Sequence, residues 1–420
     1  APGDTAASSE DAPQPVADLL LICREACDSI RVLVQQIYQS ISDDPGSEES
    51  VFRKADRSAV TIADACVQEL LQNHLLSQAG LAAIVGEEDD SEINILSEPY
   101  TIRLPGRDSL SIPPRFWPTI DAVRVEVDRL GKTLEERSRS EGPGPYSHLT
   151  AFIDPIDGTK EFTTGKGGDC SLCIGFASSL ATPATGAATD TPYAGLVYRP
   201  VANEATYAMG CGAEGFLVCH LDTPDRGIAS RRSPTQAPDR KGFLCSAGGV
   251  SPFIEALAEE LDMDCVPAGG AGNKFLLLLE GKGHCYIQDR SVSRWDTCAA
   301  QAVMEAVGGI LVQLRPFEQA SSADEAPLEA ACLSYRYRET ETNLDFEPGL
   351  IEATRYSLRD STVITGAGEV RPLIEQVEDL KPYHNALGLF CLPPWERTPE
   401  QLVRYSKAIA LAKTRALPRY

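Results

Sequence analysis

The chain has no apolar run of the ~18 or more residues that crossing a bilayer requires. No basic segment precedes an apolar stretch near its start, so no secretory signal is expected. Positive charge is scarce: 38 Lys and Arg face 61 Asp and Glu, a net charge of −23 over 420 residues. That balance excludes a nucleic-acid backbone as the main partner, which would need a basic face. It also repels phosphate substrates unless metal cations and a few local basic groups offset it. Of 13 cysteines, only Cys170 and Cys173 form a CxxC, and no second pair or nearby histidine completes a zinc site. The odd count and apolar settings such as Ile22-Cys23 and Leu244-Cys245 predict reduced core thiols and a reducing compartment. A cytoplasmic location is expected, and an organellar one after removal of a transit segment stays open.

With 43% hydrophobic and 24% charged residues, the composition is that of an ordinary globular protein. The length suggests two or three packed units. Residues 1–14 read as a disordered N-terminus and 15–220 as an α+β domain carrying most candidate ligands. Residues 221–240 read as a connection, and 241–420 as a C-terminal α/β domain with an acidic insertion at 316–345. Helical spacing of apolar residues marks 16–41, 61–76 and 120–137, and a short buried strand is expected at 81–85. The rest of 90–145 reads as loop, and 179–192 is low in complexity. Strands at 171–176, 194–198, 204–208 and 215–219 suggest an antiparallel meander. Beyond 240, strands at 242–245, 285–288 and 310–314 alternate with helices at 252–261, 272–280 and 296–307. Further helices are expected near 370–380 and 400–416.

The most informative segment is Asp154-Pro155-Ile156-Asp157-Gly158-Thr159-Lys160-Glu161-Phe162, which follows an apolar run. It sets two carboxylates three residues apart on a Pro-stiffened turn, followed by a Gly and a hydroxyl. Hard oxygen ligands beside exposed backbone N–H groups suit a divalent cation and a phosphate. Alone, the segment is also an ordinary turn. Gly86-Glu87-Glu88-Asp89 follows the strand at 81–85, and a charge run of this kind is usually solvated. Trp295-Asp296-Thr297-Cys298 opens a helix, where Asp is an ordinary cap. Asp64 lies in the first turns of a helix beside Ala63 and Val67, an awkward place for an unpaired carboxylate. Gly269-Gly270-Ala271-Gly272-Asn273-Lys274 opens another helix with room for close approach and a cation.

Taken together and in this order, GEE, DPIDGT and WD resemble the lithium-sensitive, magnesium-dependent phosphomonoesterase superfamily that includes inositol monophosphatase. The likeness covers roughly residues 50 to 315. KADRSAVTIAD, TKEF, Gly-Gly-Ala-Gly-Asn-Lys and WDTCA are similar to the 3′(2′),5′-bisphosphate nucleotidase branch. The resemblance implies an α/β, layered αβαβα sandwich of the inositol monophosphatase and fructose-bisphosphatase type. It implies that Glu87, Asp154, the Ile156 carbonyl, Asp157 and Asp296 hold two Mg²⁺ ions, with Asp64 binding a third or its water. Gly158 and Thr159 would cradle the scissile phosphate, and Gly270 and Lys274 would line the nucleotide side. One departure stands out. The branch usually carries a Ser-Arg-Ser-His-like segment after the strand at 242–245, but here the chain reads Cys245-Ser246-Ala247-Gly248-Gly249-Val250-Ser251. The expected Arg and His are absent, so what reads the second phosphate is left open.

The chemistry expected is metal-assisted attack of water on a phosphate monoester, with ions ~4 Å apart neutralising charge and activating the nucleophile. Thr159 would orient that water, and Glu88 or Asp64 would take its proton. The substrate implied is adenosine 3′,5′-bisphosphate, with its sulfated form as a further candidate, and lithium would inhibit. The alternatives are an inositol polyphosphate 1-phosphatase and a non-catalytic metal- or nucleotide-binding protein. The partner expected is thus a small phosphorylated nucleotide or inositol phosphate, with no nucleic acid and no membrane. The oligomeric state is not readable.

Overall fold

A computed structural model describes residues 15–43, 51–53, 59–104, 108–139, 143–180, 190–222, 241–290, 292–314, 317, 335, 337, 362–364, 370–372, 384–385 and 388–418. Two sheets carry the architecture. The first is built from β1 (Ala83–Gly86), β2 (Leu149–Asp157), β3 (Ser171–Ser178), β4 (Thr191–Arg199), β5 (Thr206–Cys211) and β6 (Phe216–His220). Its spatial order is β6-β5-β4-β3-β2-β1, antiparallel except for the parallel β1–β2 pair. The second contains β7 (Gly242–Ser246), β8 (Asp264–Ala268), β9 (Tyr286–Gln288), β10 (Ile310–Gln313) and β11 (Leu389–Leu392), in the order β8-β7-β9-β11-β10. Strands β8, β7 and β9 run parallel, and β11 runs antiparallel to both of its neighbours.

Side-chain alternation along the strands divides the interior into three cores. Ala151 and Ile153 of β2 face helices α1 (Pro15–Asp43), α2 (Ile62–Glu69) and α3 (Trp117–Ser138). Phe152 points the other way, towards Phe275 and Leu276 of α6 (Ala271–Leu279) and Cys298 and Ala299 of α7 (Arg294–Ala306). Leu244 of β7 closes that middle core from the second sheet. Phe243 and Cys245 face outwards, onto α5 (Pro252–Leu261) and α8 (Pro399–Arg415). The layering is the αβαβα sandwich that the sequence resemblance implies.

Several local expectations are corrected. The helix expected over 61–76 is α-helical only through Glu69, and Leu70–Leu75 continues as a π-helix. Within 90–145, Glu92–Asn94, Thr101–Arg103 and Leu110–Ser111 pair into a small antiparallel sheet where loop was expected. Residues 370–372, expected to open a helix, pair as a strand with 362–364. The rest of that expected helix, residues 1–14, most of 181–240 outside 190–222, and nearly all of 316–345 lie outside the described residues. Cys245 and Cys265, on adjacent strands with Cα atoms 6.5 Å apart, form a disulfide, so the reading of all cysteines as reduced thiols fails at this pair. Cys170 and Cys173 are buried and free. Among the described residues, no helix is long and apolar enough to cross a membrane.

Candidate active site

Strand β2 does not stop before the Asp-Pro-Ile-Asp segment. It runs through to Asp157, and every residue in it is buried. Its register against β3 shifts between Asp154, opposite Cys173, and Asp157, opposite Ser171. Three residue steps on β2 thus match two on β3, which makes the segment a bulge. Pro155 has no N–H to contribute to the ladder, so little pairing is lost there. The bulge has a chemical consequence. In a regular strand, residues three apart point to opposite faces, yet here Asp154 and Asp157 converge. Together with Asp296 they place a carboxylate oxygen each within 4.8 Å of one another.

Each carboxylate is held differently. Asp157 accepts from the Ala271 and Gly272 N–H groups at 2.8 and 2.7 Å and from the Ser171 hydroxyl at 2.8 Å. The positive end of α6 is therefore aimed at it. Asp296 sits in the first turn of α7, where its Oδ2 accepts from Ser293 N–H at 2.6 Å in a capping box. Asp154 is buried, and its Oδ1 has no hydrogen-bond partner. Burial, followed by the charges of Glu87, Asp157 and Asp296, holds the Asp154 carboxyl well above its usual range. Asp296, half-open at its surface but with an enclosed carboxylate, is raised by burial and then by Asp157. Acids packed this closely cannot all stay ionised alone. A hard divalent cation among these oxygens would supply the missing partner for Asp154 Oδ1, so the donor set fits Mg²⁺.

The second half of the site comes from α2 and the start of α4 (Thr159–Thr163). Asp64 is buried, and its Oδ2 caps α2 by accepting from Thr61 N–H at 2.8 Å and Thr61 Oγ at 2.5 Å. The capping box resolves the awkwardness of a carboxylate on an apolar face. Its other oxygen accepts from Thr159 Oγ at 3.2 Å, and Thr159 Oγ also lies 3.1 Å from the Ile156 carbonyl. Glu87 follows β1 with its N–H on the Ile153 carbonyl at 3.1 Å, and its charge reaches both Asp154 and Asp296. Glu88 is buried, so this charge run is not simply a solvated loop.

The structure also shows supports that the motifs do not reveal. Gln68, one turn beyond Asp64 on α2, accepts from Glu88 N–H at 2.8 Å and donates to Asp89 at 3.0 Å. Asp89 in turn accepts from Gly86 N–H at 2.9 Å, closing the turn that carries Glu87. The four-residue spacing from Asp64 to Gln68 was the available signal. Ser171 was detectable only through strand pairing. At the glycine turn, Gly270 has φ +56°, and a Cβ there would meet Asp157 Oδ2 at 2.9 Å. Gly158, with φ +89°, lies against it. Lys274 is buried, with Nζ donating to the Gly270 and Ala268 carbonyls at 2.6 and 3.2 Å. Lys54 to Ser58 of the early motif lie outside the described residues.

The model of the inositol monophosphatase family matches residues 22–333, a span that contains every one of these side chains. The chain belongs to the inositol monophosphatase family. It is a phosphatase of that family. It is 28% identical to 3′(2′),5′-bisphosphate nucleotidase 1 of Dictyostelium discoideum, over 54% of this chain and 71% of that protein. It is 25% identical to inositol polyphosphate 1-phosphatase of Mus musculus, over 71% of this chain and 82% of that protein. Among solved structures, extragenic suppressor protein suhB of Bartonella henselae aligns with a TM-score of 0.43 and 15% identity, covering 70% of this chain and 87% of that one. Inositol monophosphatase family members are metal-dependent, and the acidic cluster of Asp154, Asp157 and Asp296 fits that requirement.

Proposed function

We propose that the chain is a Mg²⁺-dependent, lithium-inhibited phosphomonoesterase that removes the 3′-phosphate of adenosine 3′,5′-bisphosphate. The observation that carries this is the bulge that turns Asp154 and Asp157 towards Asp296, with the Thr159–Asp64 pair beside it. Asp154, Asp157, Asp296, Glu87 and the Ile156 carbonyl are the groups that would hold two ions, and Asp64 would serve a third or its water. Mg²⁺ bound there would neutralise the phosphate and lower the pKa of a coordinated water.

The remaining steps belong to the chain. Thr159 Oγ orients the attacking water and passes its proton to Asp64 Oδ1, the oxygen already on that hydroxyl. As the water oxygen bonds to phosphorus, the ester P–O bond breaks, and the leaving alkoxide takes a proton from solvent. Gly158 and Gly270 offer backbone close to the phosphate, and α6 directs its N-terminus at Asp157. Glu88 is the second candidate for the proton.

The second reading, an inositol polyphosphate 1-phosphatase, is favoured by the longer stretch of this chain that aligns with the mouse enzyme. A panel of phosphate-release assays separates the two. Faster release from adenosine 3′,5′-bisphosphate than from inositol 1,4-bisphosphate, suppressed by lithium, supports the nucleotidase. The reverse order transfers the assignment to the inositol enzyme. Calorimetric binding without turnover at any Mg²⁺ concentration would leave a binding protein.

A further inference from the structure

The loop after β7, Cys245 to Ser251, contains no basic residue, yet a bisphosphate substrate needs a cation for the phosphate that is not cleaved. Ligands of open α/β sheets sit beyond the carboxyl ends of the parallel strands. Here those ends are Ser246 of β7, Ala268 of β8 and Gln288 of β9. Arg290 emerges two residues past β9 and is half-buried. Its Nη2 donates to the Gly249 carbonyl at 3.1 Å. A Cβ built on Gly248 would meet Arg290 Nη1 at 3.2 Å and Nη2 at 3.4 Å. The guanidinium therefore takes up the space into which a side chain at 248 would point. On the same loop, Ala247 N–H donates to the Ala268 carbonyl at 3.1 Å, the carbonyl that also takes Lys274 Nζ at 3.2 Å, so the loop lies beside the Gly269-Gly270 turn that faces Asp157. Lys274 itself is buried against two carbonyls and the Tyr286 ring, with Nζ 5.0 Å from the ring centre.

We infer that Arg290, packed against the side-chain-free Gly248-Gly249 turn, is the specificity-determining residue that binds the second, uncleaved phosphate of the substrate. A planar guanidinium fork can hold a backbone carbonyl and a phosphate together, which a lysine on the loop could not do in the same way. This inference rests on the proposed bisphosphate reading.

The test compares kcat/KM for adenosine 3′,5′-bisphosphate with that for adenosine 3′-monophosphate, which has the scissile phosphate but not the second one. The same ratio is taken for inositol 1,4-bisphosphate against inositol 1-phosphate, so that either source of the second phosphate is covered. In the full chain the bisphosphate should be preferred. Arg290→Gln should lower that preference about 10-fold or more, mainly through KM, and Arg290→Lys should restore part of it. Thermal melting of each variant controls for folding. An Arg290→Gln enzyme that keeps the full preference, or loses rate equally on both members of a pair, overturns the inference. A wild-type chain that releases phosphate from none of the four compounds overturns the proposed function instead.

Discussion

Asp64 and Thr159 share one hydrogen bond, and each has a second attachment, to Thr61 and to the Ile156 carbonyl. If they pass a proton, Thr159→Val should lower kcat about 10²-fold with a smaller change in KM. Asp64→Asn should have a similar effect, and the double variant should lose little more, because both changes cut the same path. Steady-state kinetics of the three variants check this. Asp154 and Asp296 give a second prediction. Their folded-state pKa values lie above those of the unfolded chain, so the folded protein holds these protons more tightly. The associated stability is complete below the ordinary carboxylate value of 3.8 and is lost as pH rises through about 7. In a chelating buffer the melting temperature should therefore fall between about pH 4 and about pH 7. Asp154→Asn should flatten that fall, and so should saturating Mg²⁺, which binds only the folded site. A melting curve indifferent to pH and Mg²⁺ would contradict the reading of the cluster.

Helix α7 rests directly on the first sheet, and two glycines allow it. Gly175 of β3 and Gly195 of β4 are register partners, and a Cβ on either would come within 2.4 Å of the Ala299 backbone. The close seat sets the height of Asp296, one turn earlier on the same helix. Gly175→Ala should cost about 1–3 kcal/mol by overpacking and should raise the Mg²⁺ concentration needed for half-maximal rate. Denaturant melts and a Mg²⁺ titration measure the two effects. The same scale explains what was legible in the sequence. Glu87 and Asp296 sit at a strand end and a helix start, where apolar periodicity and capping chemistry mark the position, and Asp154 directly follows the apolar run 149–153. The convergence of Asp154 and Asp157 was not legible, because a turn and a bulge use the same residues and only pairing with β3 distinguishes them. β8 was missed because it is a half-exposed edge strand with Pro267 inside it. β11 joins β9 and β10 from about 75 residues further along, a pairing that no local pattern announces.

At the scale of the molecule, the site lies where three layers meet. The first sheet supplies Asp154 and Asp157, the middle helices supply Asp296 and the donors to Asp157, and α2 supplies Asp64. Neither sheet holds the full set, so anything that separates the layers should lose metal binding before it loses secondary structure. Urea titrations followed by Mg²⁺-dependent rate and by far-ultraviolet circular dichroism should show the rate failing first. A net charge of −23 makes the surrounding field repulsive to a polyanionic substrate, which places the burden of binding on cations held inside the site. The most direct test measures phosphate release from adenosine 3′,5′-bisphosphate across a Mg²⁺ titration, for the wild-type chain and for Asp154→Asn. Release should rise with Mg²⁺, stop in chelator and be lost in the variant. Release that persists in chelator, or survives Asp154→Asn at the wild-type rate, would contradict this.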